Sequence, residues 1–398
     1  MRETERGNLG FGGLGSWTPT QRKEMGMDRW PFLVMAAWLL AFASARAEPM
    51  LEHSDVFVSG KDGYHTYRIP AIEAAADGSL VAFAEARKHN MADPGMENND
   101  IDLVMKRSTD SGKTWSAMRV IEDPGEKWSA ANPATVLDRA NGRLWLLYLR
   151  CKPGRSSETA RPGTDDIETL ARYSDDHGLS WSQPIDLTAV ARDMQDARWR
   201  CSVVGPGGPI QTRGGRLVAA VWKVDPPGVL AIFSDDHGKS WQRGEVVPGG
   251  RGDENQLVEL SDGRILMDIR QNSGPHRFLA ESADGGKTWS APRPGVTVTP
   301  VACAIERYTL RSAGDDRDRI LWTGPKGPGR SNLVVLTSYD EGKTFVNERL
   351  IGNQQAAYSD LTILKDKTVG VLWERGEQRG YQFITFTRFN REFLEPAK

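Results

Sequence analysis

The chain has 398 residues, 26% of them charged, and a formal net charge of −2. That balance suits a globular protein, and nothing in it suggests nucleic acid binding. Three cysteines, Cys151, Cys201 and Cys303, form neither a spaced disulfide framework nor a metal cluster, and leave room for at most one internal disulfide.

Residues 1–26 are Gly-rich and polar and read as an upstream extension, with Met27 as the true start. From Met27 the text changes. Arg29 supplies a positive n-region, Pro31 to Ala43 an apolar h-region, and Ala45-Arg46-Ala47 a small-x-small cleavage site. This predicts a secretory signal over 27–47. The apolar run is short for a membrane span, an uncleaved anchor being the alternative, so no span is expected in the mature chain. The expected location is secreted or periplasmic, or extracellular or lysosomal in a eukaryotic source.

Residues 48–398 contain no linker or low-complexity stretch and read as a single domain. Short strand-like runs alternate with turns. Ser79–Arg87, Arg143–Arg150, Arg216–Val224, Arg264–Arg270, Thr368–Gly376 and Tyr381–Phe389 are rich in apolar and β-branched residues. Gly78, Gly142, Gly215 and Gly263 each close a turn before such a run. A short helix is expected only within Asp186–Gln195.

One pattern, Ser-x-Asp-x-Gly-x-x-Trp, begins at Ser108, Ser174, Ser234 and Ser282, and a fifth copy from Ser338 has Phe345 in the Trp place. Each copy follows an apolar run and reads as a hairpin turn. The Asp accepts N–H bonds across the turn, the Gly takes the positive φ, and the aromatic ring folds back onto the hairpin. The expected role is structural. Repeats roughly 50–65 residues apart point to a propeller, and about 350 residues at that spacing predict six blades. A parallel β-helix is the alternative, but its repeats are much shorter.

Several polar residues stand out beside these strands. Arg68 lies in Tyr67-Arg68-Ile69-Pro70, and Arg87 closes an apolar strand. An acidic loop follows with Asp93, Asp100 and Asp102. Further on come Glu254, Arg270, Arg330, Tyr358 and Glu374. Singly, each has a plain reading as a solvated charge or local ion pair, and Tyr358 as a core residue with a satisfied hydroxyl.

Together with the five Asp-boxes, these motifs resemble the exo-α-sialidases (neuraminidases) of bacterial and animal type, from about Val56 to Phe393. The YRIP motif combined with several Asp-boxes is specific, whereas Asp-boxes alone occur in other propellers. The resemblance implies an all-β, six-bladed β-propeller of sialidase type that removes terminal sialic acid from sialylated glycans. Arg68, Arg270 and Arg330 match the three arginines that bind the substrate carboxylate. Tyr358 matches the nucleophile, Glu254 its partner carboxylate, and Asp93 the acid/base residue, with Asp100 and Asp102 in the same loop. Arg87 matches an arginine lining the pocket, and Glu374 the glutamate that orients the first arginine. No metal or organic cofactor is implied. The rival readings are a sialidase-like binding propeller without activity, and a propeller glycosidase or lyase acting on another acidic sugar.

Overall fold

The computed structural model describes residues 47–272 and 274–396. The expected extension, and the expected signal up to its last residue, lie outside the described residues. From Ala47 onward the chain is one compact unit. It is all-β: the described helices are Thr188–Ala191, Arg391–Leu394 and a 3-10 turn at Arg311–Ala313. The first falls inside the stretch where a short helix is expected. None of the described helices is long and apolar enough to cross a membrane.

The strands pair mostly with their sequence neighbours, and antiparallel, in four sheets. The first sheet runs Thr66–Ala74, Leu80–Arg87, Ile101–Ser108, Ser129–Asp138, Arg143–Cys151, Ile167–Ser174 and Ile185–Asp186, with Arg119–Glu122 alongside its third strand. In the second, Cys201–Val204 and Ile210–Gln211 both pair with Leu217–Val224, followed by Gly228–Ser234 and Gln242–Arg243. The third is Asn255–Glu259, Ile265–Ile269, His276–Ser282 and Arg293–Thr297. The fourth begins Ala304–Thr309, Arg319–Pro325, Ser331–Ser338 and continues through the long strand Val346–Ile363 into Val369–Gly376 and Phe383–Phe389. Leu51–Val58 then pairs antiparallel with Phe383–Phe389, so the two ends of the described chain complete one sheet.

Central strands such as Leu80–Arg87 are buried along their whole length. They therefore read as continuous apolar runs rather than as an alternation. Apolar clusters sit between consecutive strand groups: Val81 and Phe83 share one with Leu144 and Leu146, and Leu147 shares another with Val203, Leu217 and Val221. The three cysteines are free and buried.

Each Asp-box leads from one strand of a group to the next, as from Gly228–Ser234 to Gln242–Arg243. Its bonds repeat from copy to copy. In the third, Ser234 Oγ donates to Asp236 Oδ1 at 2.9 Å and accepts from Gly238 N at 2.8 Å, while Asp236 Oδ1 accepts from Ser240 N at 2.8 Å. Gly238 has φ 82°, and a Cβ there would lie 2.1 Å from the Trp145 ring. Glycine is therefore required twice, for the backbone angle and for the close approach.

Candidate active site

Three strands carry a β-bulge of the same kind. In Thr66–Ala74, Ile69 and Pro70 together face Ala84. In Ser129–Asp138, Asn132 and Pro133 face Tyr148, and in Val346–Ile363, Ala357 and Tyr358 face Glu374. A bulge bends its strand and re-aims the side chain beside it. Ile69 sits at φ 56° and Asn132 at φ 53°. For a β-branched residue such as Ile69 that conformation is rare and persists only where neighbours impose it. Here Glu374 Oε1 accepts from Ile69 N at 2.9 Å and from Arg68 Nε at 2.6 Å, while Glu374 Oε2 accepts from Tyr358 N at 3.2 Å. One fully buried carboxylate thus holds two bulges and an arginine.

A cavity of about 530 Å³ opens beside these bulges. Of the eight site residues matched by the motifs, Arg68, Arg87, Asp93, Glu254, Arg270, Arg330 and Tyr358 line it. The eighth, Glu374, lies behind Arg68. The Tyr358 hydroxyl is 2.6 and 2.7 Å from the two Glu254 oxygens and accepts from Arg270 Nη1 at 3.1 Å. Arg270 also pairs with Glu254. Burial, reinforced by the Glu254 charge, holds the Tyr358 phenol well above its ordinary pKa, against the pull of Arg270 and Arg68. The phenol is therefore neutral at rest, with the Glu254 carboxyl group in contact.

The three arginines are differently engaged. Burial works against the charge of Arg68, but Glu374 outweighs it and lifts the guanidinium above its ordinary pKa. Arg270 is also opposed by burial and sustained by Glu254. Arg330 has no carboxylate partner among the described residues; it donates to the Tyr381 hydroxyl at 2.6 Å. A planar guanidinium with free donors suits an incoming carboxylate.

Arg87 lines the cavity, yet its donors are largely committed. It contacts Glu85 at 2.6 Å, the Ala92 carbonyl at 3.1 Å and Asp93 Oδ1 at 3.0 Å. It fixes the loop that bears Asp93, whose side chain is 66% exposed. Asp100 and Asp102 are buried instead, paired with Lys88 at 2.9 and 3.2 Å, and neither lines the cavity. Only Asp93 of the three faces the open site.

Several residues of the site escape the sequence reading. Tyr381 stacks on Arg68, 4.0 Å from guanidinium carbon to ring centre, and caps Arg330. Asp253 lines the cavity 3.6 Å from Arg270 Nε; burial and then the neighbouring Glu254 push its carboxyl up to about 6. Glu85 supports Arg87 and accepts from Asn132 N at 3.0 Å. Asp253 is adjacent to Glu254 in sequence, which is a usable signal. Tyr381 carries none, because only the fold brings it to the arginines.

A family model described as BNR repeat-like domain matches residues 78–371. The sialidase of Micromonospora viridifaciens is 30% identical over 369 residues, covering 87% of this chain and 55% of its own length. Sialidase-4 of Mus musculus is 32% identical, covering 71% of this chain and 63% of its own length. The chain thus spans between half and two thirds of the length of these relatives. Among solved structures, a Hadza microbial sialidase superposes with a TM-score of 0.77 at 26% identity, covering 85% of this chain and 68% of that one. The fold is accordingly all-β of the sialidase propeller type. With the family match across most of its length and sialidase relatives in bacteria and animals, the chain belongs to the BNR-repeat family of exo-α-sialidases.

Proposed function

We propose that the chain hydrolyses terminal α-linked sialic acids from glycoproteins, glycolipids or oligosaccharides, with retention and with Tyr358 as nucleophile. The observation that supports this best is the Tyr358–Glu254 contact of 2.6 Å inside a cavity lined by arginines. Sialic acid carries a carboxylate on its anomeric carbon. An anionic nucleophile about 4 Å from it would cost roughly 4 kcal/mol at an effective dielectric of 20. A neutral phenol avoids that repulsion but needs a base. In this reading Arg68, Arg270 and Arg330 hold the carboxylate, and Glu254 takes the phenol proton as the oxygen attacks. Sialidases with a tyrosine nucleophile are a known exception to the two-carboxylate rule. Asp93 protonates the leaving oxygen and then activates the water that releases the sugar.

The same reading takes the strands as six four-stranded blades. The first and fourth sheets each supply two, and Leu51–Val58 closes the last. It also takes residues 27–47 as an export signal, so that the enzyme meets its glycans outside the cytoplasm.

The test is a 3-fluoro sialosyl fluoride, which slows both chemical steps while fluoride still departs. A sialyl adduct on the Tyr358 peptide is expected by mass spectrometry, and Tyr358→Phe should lose both the adduct and at least about a thousandfold in turnover. Label on an Asp or Glu peptide would overturn the tyrosine mechanism. Absence of both adduct and sialic acid release would leave a binding propeller.

A further inference from the structure

Gln256 follows Glu254 by two residues, and Asp360 follows Tyr358 by two. Glu254 immediately precedes the strand Asn255–Glu259 and Tyr358 is the last residue of its bulge; side chains alternate onward from each, so each pair shares a face. The strands Asn255–Glu259 and Val346–Ile363 belong to different sheets, yet two side-chain rungs join this region of the chain to that one. The first rung is Tyr358 with Glu254. The second is Gln256 Nε2 donating to Asp360 Oδ1 at 3.3 Å, with both residues buried. At about 3.3 Å per residue the rungs lie roughly 7 Å apart.

The second rung also takes hold of backbone beside the other sheets. Asp360 Oδ2 accepts from Ile72 N at 2.8 Å, on the strand that carries Arg68. Gln256 Oε1 accepts from Ile305 N at 3.2 Å, and Gln256 Nε2 also donates to the Pro206 carbonyl at 3.2 Å. Gly207 N in turn donates to the Pro133 carbonyl at 2.9 Å. Space around the pair is closed: a Cβ on Gly207 would lie 2.6 Å from Gln256 Nε2 and 2.7 Å from Asp360 Oδ1.

A buried carboxylate is costly, and apolar side chains could fill the same volume without that cost. Burial pushes Asp360 up to about 7, in spite of its N–H donors. What a hydrogen-bonded pair adds over apolar packing is a fixed register between the segments it joins. We propose that Gln256 and Asp360 are positioning residues that fix the separation of the Glu254 and Tyr358 strands and so keep the proton acceptor on the phenol. The proposal rests on the sialidase reading of the site above.

The experiment compares Asp360→Asn and Gln256→Glu, each close to isosteric, with the wild type. Whichever way its amide turns, Asp360→Asn sets an N–H against a donor, either Gln256 Nε2 or Ile72 N. Turnover of an aryl sialoside and the rate of adduct formation should both fall about ten- to hundredfold, as a misplacement near 1 Å can produce. KM, and the affinity for 2-deoxy-2,3-dehydro sialic acid, should stay within about threefold, because the arginines that hold the carboxylate are untouched. Combining the two substitutions restores a donor–acceptor pair between the two side chains, leaving only the Pro206 carbonyl without its donor, and should recover at least about fivefold over Asp360→Asn alone. Turnover within about twofold of wild type in both single variants would overturn the proposal, as would parallel losses in turnover and inhibitor affinity. Failure of both variants to fold would assign the pair to folding alone and equally overturn it. Lack of adduct in the wild type would count against the sialidase reading instead.

Discussion

The Asp-box turns and the cavity use similar residues in opposite ways. Asp236 in a turn is bonded to Ser234 and Ser240, all within one eight-residue copy. The Ser240 hydroxyl, then its N–H, hold the Asp236 carboxyl at about 2. In the cavity, Tyr358 meets Glu254 across 104 residues and Arg68 meets Glu374 across 306. There burial pushes Asp253 up to about 6 and, one rung away, Asp360 up to about 7. In each turn the fourth and fifth residues have positive φ and the fifth is always glycine, whereas along the cavity positive φ falls on Ile69, Asn132 and Asp225 as well as on Gly252, the β-branched Ile69 among them. The turn is satisfied by its own residues. The site is held in an unfavourable arrangement by the rest of the molecule, which is where stored strain and perturbed carboxyls are expected.

If that division holds, changes in the cavity should cut activity without melting the fold, and changes in the turns should do the reverse. After the loss expected of Tyr358→Phe, the largest effect is expected at Asp93. Asp93→Asn should lower turnover of natural glycans about 10²–10⁴-fold while sparing aryl sialosides, whose leaving group needs little protonation. Its melting temperature should barely move, since the side chain is exposed. A selective loss in Asp100→Asn instead would move the role to the buried carboxylates beside Lys88.

Arg330→Ala should remove charge-assisted bonds worth about 1.5–3 kcal/mol, or roughly ten- to hundredfold in kcat/KM. Near-normal kinetics would exclude Arg330 from carboxylate binding. In the turns, Gly238→Ala should cost about 2–4 kcal/mol of stability from backbone strain and overpacking against Trp145. The folded fraction should turn over normally; a loss of turnover without loss of stability would place that turn in the site.

The smallest effect concerns pH. Asp253 and Asp360 bind their protons more tightly folded than unfolded, because burial raises both. Burial also raises Glu73 to about 8 and Glu306 to about 7. The stability these groups contribute is full below about pH 4 and is lost as pH rises through about 6 to 8. Melting temperature should therefore fall between about pH 5 and pH 8, and Asp360→Asn should flatten that slope. An unchanged slope would mean Asp360 does not titrate in this range.

What the text of the chain reveals is local. Each Asp-box closes within eight residues, so its Ser, Asp, Gly and aromatic positions are readable wherever they stand. The strands beside them are buried enough to show as apolar runs. The candidate site is legible only through motifs: Arg68, Glu254, Arg270, Arg330 and Tyr358 can be named, but not brought together, from spacing alone. Asp93 and Asp100 are alike in sequence, and the fold separates them by exposing one and burying the other against Lys88. Gln256 and Asp360 follow Glu254 and Tyr358 at strand period, yet nothing in the residues says that the two strands face each other. That comes from the packing of the sheets, and with it the placing of Tyr381 on Arg68 and Arg330. A turn is set by bonds between near neighbours, whereas the 2.6 Å contact of Tyr358 with Glu254 depends on where distant strands come to rest.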